Sequence, residues 1–339
     1  MWRYAKIGFY TRQRAPRRVQ RYRCDTCRRR FGDQTFRLTY WMKRPDLLVP
    51  VFYRITACSG FRQIAREAGV SPQTIARTAG RLGRHALLLH ELRRPRRIEE
   101  PLALDGFESF ELSQYYPTSY HVAVGQRSHF FYGFTDSECR RRGSMTSRQK
   151  RRRAELEARL GRPDPRSIEK EVAALLAMVS PEPQALELDT DEHPSYPRAL
   201  QRVPHLDVRH RTISSRAART AKNPLFPINL LDLLIRHNGA NHKRETIAFS
   251  KRRASAAYRL AVFAVWRNWV QPVSERKGGP TPAMTLGLTD RRWAVSKLLK
   301  RRLFPTRVRL PERWRLYYER SLVTRALPKN AVHQLKYAA

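Results

Sequence analysis

Leu102-Ala103-Leu104-Asp105-Gly106-Phe107-Glu108-Ser109-Phe110 and Ala185-Leu186-Glu187-Leu188-Asp189-Thr190-Asp191 are the two stretches on which the fold turns. The first alternates β-forming and polar residues in its second half and the second alternates throughout, so both are expected to be strands. They are also where a basic chain turns acidic. Between Glu100 and Leu112 there are four acids and no Lys or Arg, and between Glu182 and Glu192 there are five acids and again no Lys or Arg. Nine of the 29 acids therefore fall in 24 residues, where even spreading would place about two. Asp105 and Asp191, 86 residues apart, can meet in space if the two strands are neighbours in one sheet. Carboxylates gathered inside a basic surface repel phosphate unless a cation lies between them. Magnesium is the expected cation, because carboxylates are hard oxygen ligands. The bland alternative is that these acids are solubilising or turn residues.

The rest of the composition bounds the partner. Across 339 residues, 68 Lys+Arg stand against 29 Asp+Glu, a formal net charge of +39. Self-repulsion on this scale points to a polyanion, nucleic acid first and an acidic membrane surface second. A hydrophobic fraction of 41% with 10% aromatics is too high for a disordered basic tail. The longest apolar run of note, Leu260 to Trp266, ends at Arg267, far short of a membrane span, and nothing at the N-terminus has the apolar core of a signal peptide. Four cysteines, two of them as Cys24-Asp25-Thr26-Cys27, fit a reduced cytoplasm better than a disulfide framework.

Residues 1–45 form a basic module, with 12 Lys+Arg against 2 Asp in the first 40. Its Cys24-x-x-Cys27 turn, flanked by aromatic residues, has the shape of one zinc knuckle, and a tetrahedral zinc needs two more ligands that the sequence does not supply at suitable spacing. Either a metal-free remnant or an incomplete zinc ribbon follows. Residues 46–97 contain a helix-turn-helix pattern: Ile64, Ala65 and Ala68 face inward, Gly69 permits the turn, Val70 plugs the corner, and Ser71 caps a second helix that has Pro72 in its first turn. Gln73, Thr74 and Arg77 would face a major groove, and Arg93 to Arg97 read as a linker.

Residues 98–272 carry the acidic strands. Tyr120 to Gly125 and His129 to Thr135 extend the first into an antiparallel meander; a basic insertion, about 139–180, holds helical stretches at 151–160 and 169–179. After the second acidic strand come a short helix near Tyr196 and a strand over 206–213. The loop from Arg209 to Lys222 has five basic residues and no acid, with Arg216, Arg219 and Lys222 suited to phosphate contacts. In the helix that follows, Asn229, Asp232 and Arg236 share one face. Lys243, Arg244 and Glu245 precede an apolar helix over 257–270, and residues 273–339 are basic and globular with no assignable chemistry.

This order of parts resembles the DDE-type transposases of bacterial insertion sequences, in the group with a zinc ribbon, a helix-turn-helix and a ribonuclease-H-like core. The stretch around Asp105 resembles that group's first-acid motif, with Gly106 in place of the usual Glu and Glu108 in place of the usual Trp. Asp191, with Tyr196 five residues on, resembles its second, which favours Asp191 over Asp189. For the third acid the resemblance offers Asp232, an Asp where Glu is usual, or Glu245 further on.

The resemblance implies an α/β fold, a ribonuclease-H-like mixed sheet flanked by helices. It also implies metal-dependent DNA strand cleavage and transfer. Asp105, Asp191 and Asp232 (or Glu245) would be the catalytic acids on two Mg2+ ions, with Zn2+ at Cys24 and Cys27 if the ribbon holds metal. Arg216, Arg219, Lys222, Arg236, Lys243 and Arg244 would orient phosphate. It further implies double-stranded DNA partners, terminal inverted repeats and target, bound by a homo-oligomer in the bacterial cytoplasm, with no membrane. The rival expectation is a non-catalytic helix-turn-helix DNA-binding protein, a regulator or a decayed transposase.

Overall fold

The computed structural model describes residues 3–13, 16–35, 37–276 and 278–327. Residues 1–2, 14–15 and 36 of the N-terminal module, and residues 277 and 328–339 of the C-terminal region, lie outside the described residues. The N-terminal module is a three-stranded antiparallel sheet of β1 (Tyr4–Thr11), β2 (Arg18–Cys24) and β3 (Arg30–Gly32), in that order. Cys24 ends β2, and the turn to β3 that carries Cys27 is closed by the Arg28 N–H donating to the Cys24 carbonyl at 2.9 Å. Tyr22 stacks on Phe31 across β2 and β3, with ring centroids 5.2 Å apart.

Helix α1 (Leu48–Ile55) is followed by the expected helix pair, α2 (Phe61–Glu67) and α3 (Pro72–Arg93). Gly69 takes φ +59° in the turn between them, a conformation that costs an L side chain. The Ser71 Oγ accepts from the Thr74 N–H at 3.2 Å, capping α3. α3 runs 22 residues, much further than a second helix of that motif needs, and is buried on nearly every side beyond Thr78. The sequence places a linker at Arg93–Arg97; instead Arg94 is buried, pairs with Glu91 at 2.8 Å and donates to the Val179 carbonyl at 3.2 Å. A buried guanidinium persists only when paired in this way, and here the pairing ties the end of α3 to the next region.

The second sheet has five strands in the order β6-β5-β4-β7-β8, formed by β4 (Leu102–Phe110), β5 (Pro117–Gly125), β6 (Phe131–Glu138), β7 (Gln184–Thr190) and β8 (Leu206–Thr212). β4, β5 and β6 are the antiparallel meander; β7 joins β4 in parallel, and β8 joins β7 in parallel. The fold is thus α/β with a mixed sheet flanked by helices. The basic insertion supplies α4 (Ser147–Leu160), largely exposed, and α5 (Ser167–Val179), which packs on the sheet. α6 (Ser195–Leu200) follows β7, α7 (Phe226–Asn238) follows the exposed loop after β8, and α8 (Arg253–Trp269) follows the turns after α7.

Neighbouring residues on β6 show the two layers, because successive side chains of a strand point to opposite faces. Gly133 turns to α5, where a Cβ would come within 2.5 Å of the Met178 side chain. Phe134 turns the other way, to Trp314 and Tyr317 on α11 (Glu312–Glu319). On that second face Phe107 of β4 lies opposite Tyr120 of β5, and both rings meet His242 just after α7. Behind it, α3 packs along α8. At Gly83 the two helices touch so closely that a Cβ would lie 2.2 Å from the Cβ of Tyr258.

The remaining C-terminal helices, α9 (Pro282–Thr285) and α10 (Val295–Lys300), pack with α8 and α1. One apolar cluster runs from Leu38 to Leu322, so the segments separated in the sequence share a single core. That core also holds part of the positive charge: Arg84, Arg94, Arg253, Arg259 and Arg267 are all buried. Arg253, for example, is caged by Asp136 at 2.5 Å and Glu138 at 2.9 Å. Among the described residues, no helix is long and apolar enough to cross a membrane.

Candidate active site

The pairing of β4 with β7 sets the geometry. Leu102 lies beside Leu188 and Ala103 beside Asp189, and carrying the same register two residues on brings Asp105 level with Asp191, just past the end of β7. The Asp105 carboxylate accepts from the Gly106 N–H at 2.6 Å and from the Tyr196 hydroxyl at 3.5 Å. Asp191 accepts from the His193 N–H at 2.9 Å in the turn that leads into α6. Burial, and after it the negative charge of Asp191, push the Asp105 carboxyl up to about 6, against the opposing pull of the Gly106 N–H, Tyr196 and Arg219. Two carboxylates at one level of adjacent parallel strands disfavour each other's charge.

Helix α7 brings Asp232 to the same place. Burial, and then the charge of Asp105, push its carboxyl up to about 8, with Arg236 one turn on opposing the shift. Its Oδ1 is buried and has no hydrogen-bond partner among the described residues. Tyr196 on α6 lies among all three acids: burial, then the charges of Asp105, Asp191 and Asp232, hold its phenol protonated well above the usual tyrosine range. In the sequence Tyr196 stands only as a marker of the second motif; its hydroxyl is a hydrogen-bond donor to Asp105. Arg236 donates to the His242 carbonyl at 3.2 Å and lies over the Phe107 ring at 5.6 Å, which holds it beside Asp232.

Several residues stand elsewhere. Asp189, the other acid of the second stretch, is bound by Arg211 at 2.6 Å and by the Gln126 amide at 2.5 Å, so its carboxylate is committed to joining β7, β8 and the β5–β6 turn. Glu245 is exposed in the turns between α7 and α8. Of the loop cations, Arg219 acts on Asp105, while Arg216 and Lys222 are exposed nearby in the same loop. Lys243 and Arg244 are exposed as well, and Arg244 acts on Arg236. On α3, Gln73 and Arg77 are exposed, but the Thr74 hydroxyl lies 3.0 Å from that of Ser71, engaged in the cap.

No family model matches this chain, and no curated protein matches it. Among solved structures it is similar to a chain of the simian T-cell lymphotropic virus intasome in complex with PP2A regulatory subunit B56 gamma, at 15% identity and a TM-score of 0.29. The likeness covers 60% of this chain and 58% of that one, so the chain spans less than two thirds of that relative's length.

The carboxylate cluster has the chemistry of a hard-cation site. Its donors are all oxygen, one buried oxygen has no partner, and repulsion centred on Asp105 is of the kind a divalent cation relieves. Asp105 is common to both interacting pairs, one with Asp191 and one with Asp232. Among the described residues, no three His, Cys, Asp or Glu are gathered closely enough to hold one ion together. Cys24 and Cys27 alone make half of a tetrahedral zinc site, and no further ligand joins them among the described residues.

Proposed function

We propose that the protein is a DNA strand transferase of the DDE type, acting on the ends of a mobile element. The observation that carries this reading is the parallel register of β4 and β7, which brings Asp105 level with Asp191, while the charge of Asp105 acts on Asp232 of α7. The strand order, with the first-acid strand β4 between an antiparallel hairpin and two parallel strands, supports a ribonuclease-H-like core. The net charge of +39 supports a DNA partner.

Asp105 with Asp191, and Asp105 with Asp232, are the pairs that would hold magnesium. Bound there, the ions would polarise a phosphodiester and acidify the attacking water or 3'-hydroxyl. The protein's own groups do the rest. Tyr196 and the Gly106 N–H keep the Asp105 carboxylate turned into the site. Arg219 and Arg236 place positive charge beside the acids, where a phosphate's developing charge would be met. Arg216, Lys222, Lys243 and Arg244 extend that charge outward along the DNA, and Gln73 and Arg77 on the first turns of α3 are exposed for contacts in a groove.

The test is a magnesium-dependent nicking assay on duplexes made from the DNA that flanks the gene on either side. Asp105→Ala and Asp191→Ala are each expected to abolish cleavage with DNA binding intact, and retained cleavage by both overturns the reading. A non-catalytic DNA-binding protein is the second reading, favoured by Gly106 at a position where the resembled motif has an acid; binding of that DNA without any cleavage would establish it.

A further inference from the structure

A second site lies far from the carboxylates in sequence, where the N-terminal module meets α10. A cavity of about 740 Å3 opens there, within the range of small-molecule sites, lined among others by Gln34, Trp41, Arg12, Arg37, Lys300 and Arg302. Three properties of its wall bear on what it takes. Gln34 is only 2% exposed, yet its Nε2 has no hydrogen-bond partner among the described residues. A buried amide donor left unmatched costs stability, so its retention calls for an acceptor supplied from outside. Trp41 is 77% exposed, the most open of the large aromatic side chains among the described residues, and it holds φ +57°. A bulky residue in that conformation is strained and stays there only because its surroundings fix it. The fixing group is Arg81 of α3, which donates to the Leu38 carbonyl at 2.8 Å and the Tyr40 carbonyl at 2.6 Å. The described residues of the lining include four cations and no acid; Asp33 lies 3.9 Å from Arg302, and its carbonyl accepts from Arg37 at 3.2 Å.

We infer that this cavity takes one unpaired nucleotide of a DNA strand, its base stacked on Trp41 and accepting from the Gln34 amide, with its flanking phosphates on Arg12, Arg37, Lys300 and Arg302. An indole face, a lone donor and a ring of cations are the elements of single-strand recognition, since every base offers a π-face and an acceptor edge and every linkage a phosphate. This site rests on the nucleic-acid reading of the protein but not on its catalytic centre, which lies on other elements.

The experiment uses the full chain and three fluorescent probes: a blunt duplex, the same duplex with a short single-stranded deoxythymidine tail, and the same with a ribonucleotide tail. The deoxy tail is expected to tighten binding about tenfold over the blunt duplex. Trp41→Ala should remove that gain and leave blunt-duplex binding unchanged, and Trp41→Phe should keep most of it. Because Trp41 is exposed, these variants fold as the parent does; Gln34→Leu is the second test, with its melting temperature measured alongside. Equal binding of blunt and tailed probes overturns the pocket alone, as does an equal loss for both in Trp41→Ala. A larger gain from the ribonucleotide tail overturns DNA as the occupant. No binding of any probe overturns both the pocket and the nucleic-acid reading.

Discussion

Asp232 on α7 is held where burial, and then the charge of Asp105 on β4, push its carboxyl up to about 8. A carboxyl whose folded pKa lies above its unfolded value of 3.8 contributes stability below about pH 4 and loses it as the pH rises toward 8. At neutral pH without metal the folded carboxyl holds a proton that the unfolded chain has lost, and taking it up opposes folding. Asp232→Asn is expected to stabilise the metal-free protein at pH 7 by about 1–3 kcal/mol and to change little at pH 4. Thermal unfolding in a chelator at the two pH values decides it, and destabilisation at pH 7 would contradict the geometry.

Magnesium should act on the same balance. A cation bound to the native acids alone raises the melting temperature with its concentration. The parent is expected to gain several degrees at millimolar magnesium, and Asp105→Asn, which removes the carboxylate common to both pairs, to gain little.

The Tyr196 phenol donates to Asp105 from the middle of the three acids. Tyr196→Phe keeps the ring packed and deletes only the donor. Cleavage is expected to fall about tenfold, with DNA affinity unchanged in a binding assay; an unaltered cleavage rate would remove Tyr196 from the site.

Acid should unfold the protein through its buried imidazoles. Burial lowers His85, His90 and His121 to about 4 and His242 to about 3. A histidine depressed in the folded state contributes stability that is complete above its unfolded pKa of 6.5 and is lost as the pH falls to the folded value. Each can cost up to about 3 kcal/mol between those limits. Stability is expected to drop steeply from pH 6.5 to 4, and the slope should lessen in His90→Gln.

At Gly83 even one methyl group meets backbone, since its Cβ would lie 2.6 Å from the Tyr258 Cα. Gly83→Ala is expected to lower stability by about 1–3 kcal/mol by forcing α3 and α8 apart. Gly69→Ala is the control for backbone strain, because nothing lies within 4 Å of that position.

The meeting of Asp105 and Asp191 was legible because alternation and charge segregation survive in sequence, and a parallel register converts equal positions on two strands into neighbours. The cap at Ser71 and the turn at Gly69 were legible because their causes are local. Tyr196 was not, since a phenol's role depends on which charges surround it. Nor were Arg94 and Arg253: a basic residue reads as surface until its acids, Glu91 three residues away and Asp136 on a distant strand, are brought beside it. The length of α3 escaped for a related reason. Its later turns are apolar against α8, a partner far along the chain.

α3 therefore serves two ends at once. Its first turns, with Gln73 and Arg77, project outward, while its later turns are set in the same core as the acid-bearing sheet. At 22 residues it spans about 33 Å. The exposed first turns and the acid-bearing sheet, joined by one continuous helix, cannot drift relative to each other as two tethered domains do. On the proposed reading the enzyme is a ruler: the number of base pairs between the sequence it holds and the bond it breaks is set by the length of one helix.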